Sequence, residues 1–558
     1  MINEEKMKPI SRRTFIKAGS IASVGLCVGC SNIPKFDIII KGGTVFDGLG
    51  NVGKVTDIGI IGEKIIAIEN LAGAKAKQII NAKDLFVSPG FIDIHTHTDL
   101  ELLVNPRGES KIRQGVTTEV SGNCGSSPFP LNDNEALELY ENNKEKYGLE
   151  VKWNDIKGFF AELKKNPIGL NYATFTGHGD IRAFVIGKND VKPTPEQMKQ
   201  MKEVLAKSME NGSLGLSTGL EYSPGSYAET EELIELCKVV KKYNGVYSTH
   251  MRSEDAKVEE AIEEAIEIAV KSGVSLQISH FKACNKPNWH KVDNMLKLVH
   301  DAKNAGVDVL LDRYPYNAWG TGLSSFLPLW SRQGETDEVL ARLQDEETAK
   351  KISEYMNTRA NLIGGWDHVM ISSCSKEHNK KLQGKYISEA AKATGKKPTQ
   401  FVFDILLEER NNVGVIGFAM DENNLKKVLA DPLTVIGSDG TTSAPYGKLH
   451  RGNPHPRYYG SFARVLGKYC REEKIFDWQT AIKKMTSMSA KKLHLEKRGE
   501  IAIDCFADIT IFDPKTVIDQ ATFTNPHQYA KGIEYVLVNG KVVIKNNEHT
   551  GALPGKIL

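Results

Sequence analysis

The stretch Asp84-Leu85-Phe86-Val87-Ser88-Pro89-Gly90-Phe91-Ile92-Asp93-Ile94-His95-Thr96-His97 decides how the rest of this 558-residue chain is read. An apolar run broken by Pro89-Gly90 restarts at Phe91 and ends in two histidines one residue apart. Side chains alternate faces along a strand, so His95 and His97 project to one side, close enough to share an ion. Neutral imidazoles ligate zinc-like metals, and the carboxyl end of a strand is where a parallel α/β barrel gathers its chemistry. Alone, His-x-His reads equally as two histidines on an edge strand. The sequence downstream separates the two readings.

On the N-terminal side, residues 36–87 alternate short β-patterns with Gly turns, as in Asp37-Ile38-Ile39-Ile40 before Gly42-Gly43 and Lys64-Ile65-Ile66-Ala67-Ile68. The C-terminal end repeats the pattern in Ala507–Phe512 and Val536–Val543. Two β-rich ends around a long middle predict a small β-sandwich built from residues 36–88 and 500–558. Between them, residues 89–499 alternate apolar strands with amphipathic helices, which argues for βα units and a parallel sheet. Strand candidates are Gly115–Val120, Asn171–Phe175, Ser213–Ser217, Gly245–Thr249, Val274–Ile278, Val307–Asp312 and Thr434–Gly437. About eight strands with helices between them is the count for a closed (β/α)8 barrel. Around 328–431 the rhythm stretches into a charged, helix-rich segment, expected as an insertion beside the barrel mouth.

A chain this long exceeds one simple core. Its net charge of +2 gives no reason to invoke a nucleic-acid partner. Of the eight cysteines, only Cys27 and Cys30 form Cys-x-x-Cys, so neither a disulfide framework nor a paired-cysteine zinc site is indicated beyond them. Residues 1–30 read as a targeting segment. Ser11-Arg12-Arg13-Thr14-Phe15-Ile16-Lys17 resembles a twin-arginine export signal, and the apolar stretch 18–29 is too short to span a bilayer. Val28-Gly29-Cys30-Ser31 resembles a lipoprotein cleavage box with Cys30 as the acylated residue, although Cys27 stands where leucine is usual; the alternative is an ordinary export signal. The expectation is an exported protein, periplasmic or a cell-envelope lipoprotein, touching the membrane only through a lipid.

Metal-capable residues recur at strand ends. Cys124 follows Val120-Ser121-Gly122-Asn123, His250 ends Val246–Thr249, His280 ends Leu276–Ser279, and Asp439 ends Val435–Ser438. Each alone reads as packing, since a buried cysteine behaves as a small hydrophobe. Together with His95 and His97 they make six such residues on the face where barrel active sites form, which points to a metal site.

With those residues in view, the chain resembles the amidohydrolase superfamily and, within it, the D-aminoacylase (N-acyl-D-amino-acid deacylase) family, over nearly all of residues 36–558. The motifs that carry the resemblance are Pro89–His97, Gly115–Thr118 through Gly122-Asn123-Cys124-Gly125, Gly177-His178-Gly179, and Gly215–Leu220. Further on come Ile278–Lys282, Tyr314-Pro315-Tyr316, Ser438-Asp439-Gly440 and His455-Pro456-Arg457. The resemblance implies a (β/α)8 barrel with a small β-domain, and zinc-dependent hydrolysis of N-acyl-D-amino acids. It implies that Cys124, His250 and His280 hold a tightly bound Zn2+, that His95 and His97 with Cys124 form a weaker second site, and that Asp439 is the catalytic carboxylate. Cyclic amidohydrolases resemble the chain too, but usually bridge two metals through a carboxylated lysine where this motif offers Cys124.

These roles agree with elementary chemistry. A hydrolytic zinc needs a few protein ligands and an open position, and a carboxylate can take and return the water's proton. A substrate carboxylate calls for a cation: Arg457 is the leading candidate, with Lys282 and Tyr314 at matching positions. Gly320 stands where a serine is usual in the family, and the loop 441–453 is longer than usual. His178 is open between a pocket role and a structural one. The rival functions are a cyclic-amide hydrolase or a D-residue dipeptidase on the same scaffold, and a surface lipoprotein that binds acylated ligands without turnover.

Overall fold

The computed structural model describes residues 35–558, so the targeting segment and Cys30 lie outside the described residues. Eight parallel strands close a barrel: Phe91–Asp93, Val116–Ser121, Asn171–Thr174 continued by Thr176–Gly177, Gly215–Gly219, Val246–His250, Ser275–Ile278, Val309–Arg313 and Thr434–Ile436. Register runs Gly219 beside His250, Thr249 beside Ile278, and Asp312 beside Val435. Closure between the eighth and first strands is made just past their ends, where Asp439 N donates to His95 O (2.8 Å) and His97 N to Gly440 O (3.2 Å). The strands are buried on both faces, as a barrel wrapped in helices requires.

The helices follow from their periodicity. Val258–Ser272 buries Val258, Ala261, Ile262, Ala265, Ile268 and Ala269 on one face. It stops at Gly273, whose φ of 71° is the left-handed cap that glycine adopts without strain.

Strands from both chain ends pair in one nine-stranded sheet, in which Phe86–Pro89 lies between Phe36–Val45 and Ile509–Phe512. The sheet curls until Lys64 bridges Phe506, enclosing Ile38, Ile58, Ile65, Val87, Ile509 and Leu537 in the β-domain core. The strand Phe86–Pro89 belongs to this domain and Phe91–Asp93 to the barrel, so Gly90 is the joint. A Cβ at Gly90 would lie 2.2 Å from Thr117 Oγ1, which leaves room for glycine alone.

The insertion differs from the helix-rich segment expected at 328–431. It begins earlier, with Trp319–Gly322, and holds a three-stranded antiparallel sheet with Val369–Ser373 and Gly414–Gly417, covered by Thr336–Gln344, Glu346–Ile363 and Pro398–Glu408. Two of those strands are four-residue, glycine-bounded pieces, too short to carry a period-two signal. The helix Glu422–Ala430 belongs instead to the barrel's outer ring, burying Val428 among the barrel helices. Among the described residues, no helix is long and apolar enough to cross a membrane.

Candidate metal-dependent active site

His95, Cys124, His280 and Asp439 offer ligand atoms that all lie within 4.8 Å of one another at the carboxyl mouth of the barrel. Cys124 Sγ is 3.3 Å from His95 Nε2 and 3.5 Å from His280 Nε2. His250 Nδ1 is 3.0 Å from His280 Nε2, and His97 Nε2 is 3.0 Å from Asp439 Oδ1. All six metal-capable residues picked from the sequence therefore meet in one place.

Local backbone geometry sets these side chains. Cys124 (φ 52°), His280 (φ 34°) and Asp439 (φ 50°) all occupy the left-handed region that non-glycine residues avoid. Such conformations survive where surrounding structure over-determines them, and here each turns the chain sharply off a strand end. Gly122 and Gly125 flank the cysteine because side chains would strike neighbours: a Cβ at Gly122 would sit 2.3 Å from Phe175 O, and one at Gly125 2.6 Å from Gly219 N.

The charge pattern favours ligation. Burial opposes a charge on Cys124, yet His95 and His280 hold its thiol well below the ordinary value, which favours the thiolate form that ligates metals. Burial likewise opposes charge on Asp439, which Arg457 and the imidazoles keep ionised. For His97, desolvation pulls downward but Asp439 and Cys124 raise the imidazole to about 9. A sulfur and a carboxylate set among imidazoles form a donor set that suits a divalent metal. His250 Nε2, buried and without a hydrogen-bond partner, is a further orphaned donor, with a Glu221 oxygen 3.6 Å away.

Two residues that sequence reasoning missed hold this cluster. Asp312, at the end of the seventh strand, accepts from His95 Nδ1 (3.1 Å), the His280 backbone N (2.7 Å) and Gln277 Nε2 (3.0 Å). It thereby sets the His95 tautomer, leaving Nε2 free to face Cys124. Glu254 lies 2.7 Å from His280 Nδ1 and 2.5 Å from Lys282 Nζ. The only sequence signal for Asp312 was its place at the end of a predicted strand; for Glu254 there was none.

The expected substrate contacts are placed as follows. Arg457 is buried, its Nη1 2.8 Å from Asp439 Oδ2, and it stacks 4.7 Å over the Tyr314 ring. His455 donates from Nε2 to Ala318 O (2.9 Å) and accepts the Arg457 N–H at Nδ1 (3.0 Å), fixing the start of the arginine's helix. Lys282 is buried against Glu254, and the Tyr314 hydroxyl is buried with no partner. Gly320 lines the site with Arg457 Nη2 3.7 Å from where a Cβ would be, so the missing serine leaves space. The long loop after Asp439 lines the larger cavity with Thr441, Thr442, Ser443 and Leu449, and is tied down by Tyr446 donating to Glu109 (2.6 Å) and Lys448 to Tyr147 O (2.5 Å). His178 lies outside the site: it opens the helix His178–Ile186, and its ring turns into the barrel wall, 2.8 Å from Glu232, which also pairs with Arg182.

Two cavities meet at the cluster. A small one of about 70 Å³ is lined by Lys282 and Tyr314; a larger one of about 1000 Å³ is lined by His97 and Cys124. Both are bounded by His280, Gly320 and Asp439.

Comparison with known proteins places this geometry in context. The model of a family described as "Amidohydrolase family" matches residues 78–544. The chain is 35% identical to a D-aminoacylase of Alcaligenes xylosoxydans xylosoxydans over 531 residues, covering 95% of this chain and 98% of that one. It is 33% identical to an N-acyl-D-glutamate deacylase of the same organism, over 94% of this chain and 96% of the relative. Among solved structures it resembles an N-acyl-D-glutamate deacylase of Bordetella bronchiseptica, complexed with zinc and a phosphonate mimic of the tetrahedral intermediate. That match has a TM-score of 0.80 at 31% identity and covers 94% of this chain and 99% of the other. D-Hydantoinase structures, at 15–16% identity, share the fold alone.

Proposed function

From the premise that the chain belongs to the amidohydrolase family, we propose that it is a zinc-dependent deacylase of N-acyl-D-amino acids, releasing a carboxylate and a D-amino acid. The observation that carries this reading is the convergence of Cys124, His250, His280, His95, His97 and Asp439 at one barrel mouth beside Arg457, Lys282 and Tyr314. Cys124, His250 and His280 would hold the tight zinc, and His95 and His97 with Cys124 a second, weaker one. When bound, zinc lowers the pKa of water from about 15.7 toward 7 and polarises the scissile carbonyl.

The chain's own groups do the rest. Asp439, kept ionised by Arg457, takes the proton of the attacking water at a carboxylate oxygen and returns it to the departing amine. His97, 3.0 Å from the same carboxylate, holds that oxygen in place. Lys282 and the unpartnered Tyr314 hydroxyl bind the substrate carboxylate, with Arg457, which lines the larger cavity and lies over the Tyr314 ring, supplying planar donors. That anchoring directs the scissile amide over the metal cluster and the acyl group into the larger cavity. Thiolate Cys124, in place of a carboxylated lysine, separates this site from those of the cyclic-amide hydrolases.

The test is steady-state hydrolysis of N-acetyl-D- and N-acetyl-L-amino acids, with and without a zinc chelator. Chelator-sensitive turnover of the D-forms alone supports the reading; no turnover of either enantiomer by the zinc-loaded protein sinks it. For residues 1–30 we propose twin-arginine export and acylation at Cys30, which rests on the sequence alone. Mass spectrometry of the mature N-terminus after cell fractionation tests it.

A further inference from the structure

The deacylase reading leaves the amino-acid side chain undefined, and the small cavity supplies a constraint. The substrate's carboxylate and side chain share one carbon, so a carboxylate held at Lys282 and Tyr314 puts the side chain in that cavity. Its far wall comes from the insertion, as Trp319, Phe326 and Ile363. Among the described residues the one cation on that wall is Arg359, carried by the helix Glu346–Ile363, and it is already engaged: its Nη1 is 2.8 Å from Asp255 Oδ2, with Glu221 also near. Asp255 is itself fixed in the loop after the fifth strand, accepting from Ser253 Oγ (3.0 Å) and the Ala256 backbone N (2.6 Å) at its other oxygen. Lys282 is likewise paired with Glu254, and Glu221, 3.6 Å from His250 and within electrostatic reach of Arg359, adds a second carboxylate to the cavity wall.

We propose that the Asp255–Arg359 ion pair makes this site selective for N-acyl-D-amino acids with uncharged, apolar side chains, by occupying the one cation an acidic side chain would use. This rests on the deacylase reading. One anion, the substrate's own carboxylate, finds the unpartnered Tyr314 hydroxyl and Arg457 Nε beside Lys282. A second anion, on a D-glutamate or D-aspartate side chain, meets apolar walls, a neutralised arginine and Glu221. A charge buried without a partner is strongly disfavoured. A basic side chain meets a Glu221 already facing His250 and Arg359, and must also lie against Trp319, Phe326 and Ile363. Asp255 is thus a specificity-determining residue placed by the insertion's helix and the barrel loop together.

The experiment compares kcat/KM for N-acetyl-D-leucine, N-acetyl-D-phenylalanine, N-acetyl-D-glutamate and N-acetyl-D-lysine in the zinc-loaded wild type, Asp255→Asn and Arg359→Leu. Asparagine keeps the oxygen that accepts from Ala256 while releasing Arg359. The wild type is expected to prefer the leucine and phenylalanine substrates by about 100-fold or more over either charged one, as a buried unpaired charge costs at least that. Asp255→Asn is expected to raise the glutamate-to-leucine ratio about tenfold or more. Arg359→Leu, which breaks the pair without freeing a cation, is expected to leave that ratio low. Equal or better wild-type turnover of N-acetyl-D-glutamate or N-acetyl-D-lysine overturns the proposal. So does an unchanged ratio in a folded Asp255→Asn, or the same rise in Arg359→Leu. Failure of the wild type on every N-acetyl-D-amino acid instead refutes the deacylase reading, and this proposal with it.

Discussion

Asp312→Asn isolates the orientation of the metal cluster from its ligands. The carboxylate collects three donors: His95 Nδ1 and the His280 N–H at Oδ1 (3.1 and 2.7 Å), and Gln277 Nε2 at Oδ2 (3.0 Å). Asparagine keeps one oxygen for the His280 N–H and turns an amide NH2 toward Gln277. The Gln277 Oε1 is buried without a partner, so a flip of that amide lets it accept the new donor. The fold therefore loses little. What changes is His95, which exchanges an anionic acceptor for a neutral one and becomes a weaker base at Nε2. Removing such an outer partner of a ligating histidine typically costs about 10–100-fold in metal affinity, or about 1.4–2.7 kcal/mol. Zinc affinity measured by competition with a chromophoric chelator, beside Tm with and without zinc, reads this directly. Zinc affinity within about threefold of wild type, with Tm unchanged, would refute the claim that the Asp312 charge strengthens His95 as a ligand.

Other expectations follow from the same geometry. Cys124→Ser removes the thiolate shared by His95 and His280 and should weaken zinc binding at least about tenfold, with kcat/KM falling in step; intact zinc content would contradict this. Stripping zinc from the wild type with a chelator should lower Tm, because zinc held by the folded site and not by the unfolded chain stabilises the fold, and adding zinc back should restore it. Lys111→Met leaves Asp93 as an uncompensated buried charge (their separation is 2.9 Å), so unfolding should become easier by about 3–5 kcal/mol, measured by urea titration. Glu119, whose pKa burial pushes up to about 8, holds its proton in the folded state and loses it at the ordinary carboxyl range when unfolded. Its contribution is complete below about pH 4.5 and fades as pH rises to about 8. Glu119→Gln should therefore gain stability relative to wild type between pH 5 and 8; a constant difference across that window would disprove it.

What the sequence disclosed and what it withheld divide along one physical line. His95, His97, Cys124, His250, His280 and Asp439 were legible because a barrel puts every strand end on one rim, so strand-end position alone predicts convergence without any pairwise distance. Asp312 occupies the same kind of position but reads as an ordinary strand-end acid. Its partner His95 is 217 residues away, and only the closed register brings the seventh strand behind the first. His178 shows the opposite failure. It also follows a strand, yet it starts a helix, and its ring is captured by Glu232 in the wall instead of reaching the mouth. The insertion was visible as a break in rhythm, but its sheet was hidden in strands of four residues such as Trp319–Gly322 and Gly414–Gly417. The left-handed backbone at Cys124 has no signature in residue type, and at His280 and Asp439 it falls on types that are enriched there but far too common elsewhere for the sequence to announce it. That conformation is imposed by the rim, where successive strands end and each chain must turn at once. The chemistry of this site is therefore local in sequence while its precision is global. Substitutions at the rim residues should abolish function, and those at Asp312, Glu254 or Asp255 should retune it.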